Sequence, residues 1–261
     1  MSILSSVARR LQSTPSEVRV GLVFVWVLTV SAWLAPRETS ELSRGQTVAL
    51  QVFLVAGTPL LFGKLAGFSW DVLFKLRPIS VHQAVLAILL GLCLVPWLEA
   101  IHYFQAQLGG EAIQLQQRTQ SWLQGPHLTW ILLTMALFPA VCEELLFRGF
   151  VLNQLLRPET RFRAILVSAV LFGIFHRHLL LILPASLAGI LFAVMVQRSQ
   201  SLLPAILAHF TVNGFAVALS NWQTAASMAW LVGVEPVPTS LLGASGIGLF
   251  VFGKLLKKRQ A

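Results

Sequence analysis

The chain has 261 residues, of which 56% are hydrophobic and only 11% charged, with a formal net charge of +9. A soluble domain carries about 25% charged residues, so there is too little polar side chain here to cover a globule in water, and 17 Phe with 8 Trp exclude a disordered chain. Long unbroken apolar runs, rather than strict alternation, exclude a transmembrane β-barrel and leave an all-α, polytopic integral membrane helical bundle.

A spanning helix needs about 20 mostly apolar residues. In chain order the segments that fit are 19–35, 47–66, 81–104, 128–155, 163–177, 179–197, 202–220 and 239–255, about eight transmembrane helices. Residues 1–18 are polar and include Arg9 and Arg10. The first apolar stretch is long and no clean small-x-small cleavage site follows it, which predicts a retained helix rather than a signal peptide. Glu99 and His102 end the third segment and read as interfacial. Residues 105–127, with Gly109, Gly110 and several Gln, read as a loop rather than an amphipathic surface segment. The fifth segment is short. The sixth contains Pro184, which is expected to open a helix rather than sit inside one. It also carries Ala185-x-x-x-Gly189-x-x-x-Ala193, a face of small residues that lets a neighbouring helix approach closely. Cys93 and Cys142 lie in apolar segments and suggest neither a disulfide framework nor a thiolate metal site.

The charges sort by side. With eight helices, one side holds Arg9, Arg10, Lys64, Lys75, Arg77, Arg157, Arg161, Arg163, Arg198, Lys254, Lys257, Lys258 and Arg259, and the other only Arg37, Arg44, Arg118 and Arg177. That asymmetry predicts both termini cytoplasmic in a multi-pass protein of the cell (inner) membrane. It also assigns the net positive charge to loops against lipid headgroups rather than to nucleic acid.

Ionisable groups at bilayer depth are costly and persist where they pair or work. Glu144 and Arg148 are four apart with the acid first, the favourable order for a helical ion pair. Glu143 is then left without a local cation, rotated by about 100° from Glu144. It either fixes packing through a hydrogen bond or exchanges a proton with water. His176 follows Phe172 by one turn; His178 points elsewhere and reads as interfacial. His209 and Asn213 share one helical face, either as polar glue between helices or as two donors for an oxyanion. Counted at about 1.5 Å per residue from the cytoplasmic ends, Glu143 and His176 lie roughly 20 Å deep but His209 only roughly 10 Å. The three are expected to meet only if tilt or boundary shifts absorb one to two turns.

Taken together, Glu143-Glu144-x-x-x-Arg148, Phe172-x-x-x-His176 and His209-x-x-x-Asn213 resemble, in order, the motifs of the CPBP family of intramembrane proteases (CAAX proteases and bacteriocin-processing enzymes, also called Abi), which includes the Ras-converting CAAX endopeptidase. Gly149-Phe150 after the first motif is similar to the family pattern. Arg198-Ser199-Gln200-Ser201-Leu202 resembles the family's Arg-Thr-Gly-Ser-Leu, with Gln200 departing from Gly. The resemblance covers roughly residues 128–220.

The resemblance implies an intramembrane endopeptidase acting on a membrane-associated protein or peptide. In it Glu143 is the base that activates water, His176 its partner, and His209 and Asn213 the oxyanion stabilisers, with Glu144, Arg148 and Phe172 supporting. It implies three parts: 1–127, a cytoplasmic segment, three transmembrane helices and a polar loop; 128–220, the protease core; and 221–261, a last helix and basic tail. No cofactor is expected. Zinc held by Glu143, His176 and His209 is the alternative, since two His and one Glu form a known catalytic set, although His-Glu-x-x-His is absent from the sequence. Two other functions compete. One is a transporter with a buried Glu/His relay, against which no internal repeat is found. The other is a non-catalytic immunity or scaffold protein.

Overall fold

All eight apolar segments form helices, with ends within three residues of the expected ones. The structure is a computed structural model and describes residues 3–34, 43–221 and 235–256. Arg37, Lys257, Lys258 and Arg259 of the charge count lie outside the described residues. In chain order the helices are α1 (Ile3–Ser13), α2 (Ser16–Leu34), α3 (Arg44–Leu65), α4 (Trp70–Phe74), α5 (Val81–Ala106), α6 (Gly110–Leu123), α7 (Leu128–Leu155), α8 (Arg161–Phe175), α9 (Leu179–Ser199), α10 (Leu203–Asn221) and α11 (Thr239–Leu255). There is no strand among the described residues. Helices α2, α3, α5, α7, α9 and α10 are long and apolar enough to cross a membrane. At 15 and 17 residues, α8 and α11 fall short of a full span. The protein is an integral, multi-pass membrane protein.

Two expectations are corrected. Residues 105–127 are not a plain loop, because α6 occupies most of them. Its Gln, Leu and Arg side chains lose little rotamer freedom in a helix, and Gly109–Gly110 mark its start rather than a loop throughout. Pro184 sits inside α9, not at its start. A proline cannot donate to the carbonyl four residues earlier, here that of Leu180. Gln105 Nε2 donates to that carbonyl instead, at 2.7 Å, so the orphaned acceptor is satisfied from α5.

Polar caps start the long helices. Ser43 with Gln46, and Ser80 with Gln83, form capping boxes for α3 and α5. Proline shapes others. Pro59 and Pro139 each follow a π-turn, Gln51–Ala56 in α3 and Leu132–Leu137 in α7. A third π-turn, Leu145–Val151, follows Glu144.

Helix α7 is central and touches α2, α3, α4, α8, α9 and α10. On one side Val23, Phe24, Val27, Leu54, Val55, Phe74, Leu146, Phe147 and Phe150 form one buried cluster. On the other, Leu86, Leu90, Leu94, Phe192, Met195, Val196, Ala205 and Ala208 form a second. The hairpin α8–α9 is the closest pairing. A Cβ on Gly189 would stand 3.0 Å from Ala169 Cα, and one on Gly173 would run into Ser186 Oγ and Ile182 O. The small-residue face thus packs as expected.

The loops gather at two ends. At one, Gln12 Nε2 donates to Ala66 O, Arg157 to Ser16 Oγ, Ser201 Oγ to Arg77 O, Leu202 N to Lys75 O, and Arg198 to Gly253 O. At the other, Arg44 donates to Trp122 O and Gln124 O, and Asn221 to Leu123 O. The turn 199–202 forms despite Gln200, which takes φ 55°, ψ 28°, the left-handed conformation that favours glycine. Ser199 Oγ holds it, donating to Ser201 O and accepting from Ser201 N.

Candidate active site

The site lies at the seam between the two apolar clusters. Arg148 is buried there with its guanidinium over Phe172, 4.3 Å from the ring centroid, and 5.2 Å from that of Phe192. Its Nη1 donates to Glu144 Oε1 at 2.6 Å and its Nη2 to Gly189 O at 3.2 Å. The i,i+4 pair read from the sequence is therefore made, inside a π-turn, and it has the charge-assisted geometry that burial requires. The absence of a side chain at Gly189 is what admits Nη2, because a Cβ there would stand 3.2 Å from it.

His209 joins the two carboxylates. Its Nδ1 lies 2.9 Å from Glu144 Oε1, and its Nε2 lies 3.9 Å from Glu143 Oε2. An ionised carboxylate only accepts, so Nδ1 carries a proton. Phe192 stacks on the imidazole, with centroids 5.1 Å apart, and Phe172 meets it edge-on at 5.7 Å. Glu143 and His209 meet although an α-helical count sets them roughly 10 Å apart in depth. The π-turn Leu145–Val151, between Glu143 and the end of α7, takes up only part of that difference, since a wider turn advances only slightly less per residue.

His176 ends α8. Its Nδ1 is 2.9 Å from Phe172 O. A carbonyl only accepts, so Nδ1 carries the proton and a neutral ring leaves Nε2 bare. Its ring also meets Phe172 edge-on at 5.0 Å. His176, His209 and Asn213 line one cavity of about 270 Å³, together with Phe172, Phe192 and Pro184. The side chain of Asn213 makes no hydrogen bond to another described residue. Glu143 is 5% exposed and does not line this cavity. His209 neighbours Glu143 and lines the cavity, and no hydrogen bond or ion pair joins His176 to Glu143 among the described residues.

Three features escaped the sequence reading. Glu143 is not alone: Gln51 Nε2, from α3, donates to its Oε1 at 3.2 Å. Gln51 interrupts the apolar run 47–66, which is the signal the sequence offers for it. Glu99 and His102 line the cavity, 4.0 Å apart on α5. Helix α5 runs on to Ala106, past both residues. His178 has a role of its own, accepting from Leu180 N at 3.3 Å to cap α9. Among the described residues, no three His, Cys, Asp or Glu side chains form a metal-binding group.

The family described as Type II CAAX prenyl endopeptidase Rce1-like matches residues 125–215, which carry all seven motif residues from Glu143 to Asn213. Over those residues the chain is similar to this family. Over 79 residues it is 33% identical to a protein of Bacillus subtilis (strain 168) named "Putative membrane peptidase YdiL". That alignment spans 30% of this chain and 32% of the relative, so the chain matches about a third of that protein's length. No solved structure matches the chain. The family match covers α7 to α10 almost entirely. Gln51, Glu99 and His102, which complete the site, come from helices outside it.

Proposed function

We propose that the chain is an intramembrane endopeptidase, with residues 128–220 as its protease core, hydrolysing a peptide bond of a membrane-associated protein or peptide. One observation carries this reading: a buried carboxylate, Glu143, and a buried imidazole, His209, meet beside a cavity that His176 and Asn213 enter with uncommitted polar atoms. Glu143 takes a proton from water as the water oxygen attacks the scissile carbonyl, with the bare Nε2 of His176 as a second acceptor for that water. The carbonyl oxygen becomes an oxyanion. Asn213 Nδ2 donates to it, and His209 in its imidazolium form donates from Nε2 while Nδ1 stays on Glu144. The C–N bond then breaks, and the proton held by Glu143 passes to the leaving amine. Glu144 and Arg148 hold His209 in place from behind. Both termini face the cytoplasm in this reading, since the end where the loops bearing Lys75, Arg77, Arg157 and Arg198 gather is the basic one.

The family description names prenylated CAAX substrates, so a farnesylated peptide ending in a CAAX sequence is the first probe, with its unprenylated counterpart beside it. The test uses purified full-length protein in liposomes. Cleavage of either peptide by the wild type, lost in Glu143→Gln and kept after exhaustive chelation, is the expected result. No cleavage, or an active Glu143→Gln, contradicts the peptidase reading. Loss on chelation with recovery on zinc contradicts the metal-free mechanism.

A further inference from the structure

Gln51 lies outside the family match, 92 residues from the carboxylate it touches. It opens the π-turn Gln51–Ala56, and such turns are frequent at functional sites. Its bond to Glu143 is the one hydrogen bond that the Glu143 carboxylate makes among the described residues. The carboxylate only accepts, so the amide orientation is set chemically: Nε2 faces Glu143, and Oε1 faces away from it. Oε1 is buried and has no partner among the described residues. A buried acceptor of this kind is normally satisfied, by protein or by ordered water.

The rest of the turn is well anchored. Leu54, Val55 and Ala56 are buried in the cluster that also contains Cys142, Leu146 and Phe147 of α7. Gln51 therefore approaches Glu143 from a fixed base. With one oxygen of Glu143 held by Gln51, the other is the one that stands 3.9 Å from His209 Nε2. That separation is too long for a direct hydrogen bond and short enough for one water to touch both groups.

We propose that Gln51 is a positioning residue for Glu143: its amide N–H holds one carboxylate oxygen and so fixes the rotamer that presents the other to the water Glu143 activates. This rests on the peptidase reading above and places the second spanning helix inside the catalytic machinery. A purely structural Gln51 would join α3 to α7 and do nothing more.

The full-length protein in liposomes tests it with the same farnesylated CAAX peptide. Gln51→Met keeps the length of the side chain and removes its hydrogen bond to Glu143. The expected result is a fall in kcat of about 10- to 100-fold, since small misplacements of a catalytic group cost that much, with KM within about twofold. Adding Gln51→Met to Glu143→Gln is expected to cost nothing further, because Gln51 acts through Glu143. Gln51→Asn, one methylene shorter, is expected to lower kcat in the same way and serves if the Met variant does not fold. Infrared difference spectra give a readout without turnover: the carboxylate band that vanishes in Glu143→Gln shifts in Gln51→Met. An unchanged kcat in Gln51→Met with Glu143→Gln inactive, a rise in KM alone, or an unshifted band overturns the assignment and leaves the peptidase reading standing. Full activity in Glu143→Gln removes the peptidase reading itself.

Discussion

Glu144 and Arg148 on one side, and His176 and Asn213 on the other, belong to the same site but are held in opposite ways. Glu144 and Arg148 are essentially unexposed, bonded to each other, to His209 and to Gly189 O, and packed between aromatic rings. His176 and Asn213 are partly exposed to the cavity and keep polar atoms free toward it. The paired charges set the shape of the seam, although Glu144 Oε2 and Arg148 Nε are buried without a hydrogen-bond partner among the described residues. His176 and Asn213 at its open edge face the cavity, where the proposed function places the substrate. His209 belongs to both sides and carries the fixed geometry of one into the other.

That contrast is broken most severely from the closed side. Arg148→Leu leaves Glu144 buried without its cation, and a buried pair broken on one side costs about 3–5 kcal/mol. Thermal unfolding in detergent is expected to show it as a large drop or as failure to fold. His176→Ala on the open side should leave the unfolding midpoint nearly unchanged while activity falls by about 10²- to 10⁴-fold, the usual contribution of a proton-transfer group. Equal stability losses in the two variants would erase the contrast.

A smaller effect is expected at the α8–α9 contact that supports Arg148. Gly173→Ala drives a methyl into Ile182 O and Ser186 Oγ. Overpacking of this kind costs about 1–3 kcal/mol, read as a lower midpoint with residual activity in whatever fraction stays folded. The smallest effect lies away from the seam. Gln200→Gly relieves a left-handed residue and should stabilise by about 1 kcal/mol, with activity unchanged.

The helices were legible because the apolar runs are long and sharply bounded. The 128–155 and 239–255 segments end where the structure ends them. The Glu144–Arg148 pair was legible because it is local, set by a four-residue spacing on one helix. What the sequence did not reveal depends on contacts between distant segments. Gln51 reaches Glu143 only because α3 packs on α7, and Glu99 and His102 line the cavity only because α5 continues past them. Pro184 was misplaced for a related reason: the helix tolerates it because Gln105, on another helix, takes up the carbonyl it orphans. The π-turns of α3 and α7 were not legible because local apolar patterning does not signal them.

The claim that Glu143 works while Glu144 holds is tested most directly by comparing Glu143→Gln with Glu144→Gln in one assay, peptide cleavage in liposomes with the unfolding midpoint measured on the same preparations. The account predicts that Glu143→Gln keeps the wild-type midpoint and loses cleavage by at least about 10²-fold, whereas Glu144→Gln loses stability first. A Glu143→Gln variant that folds and cleaves like the wild type would contradict it.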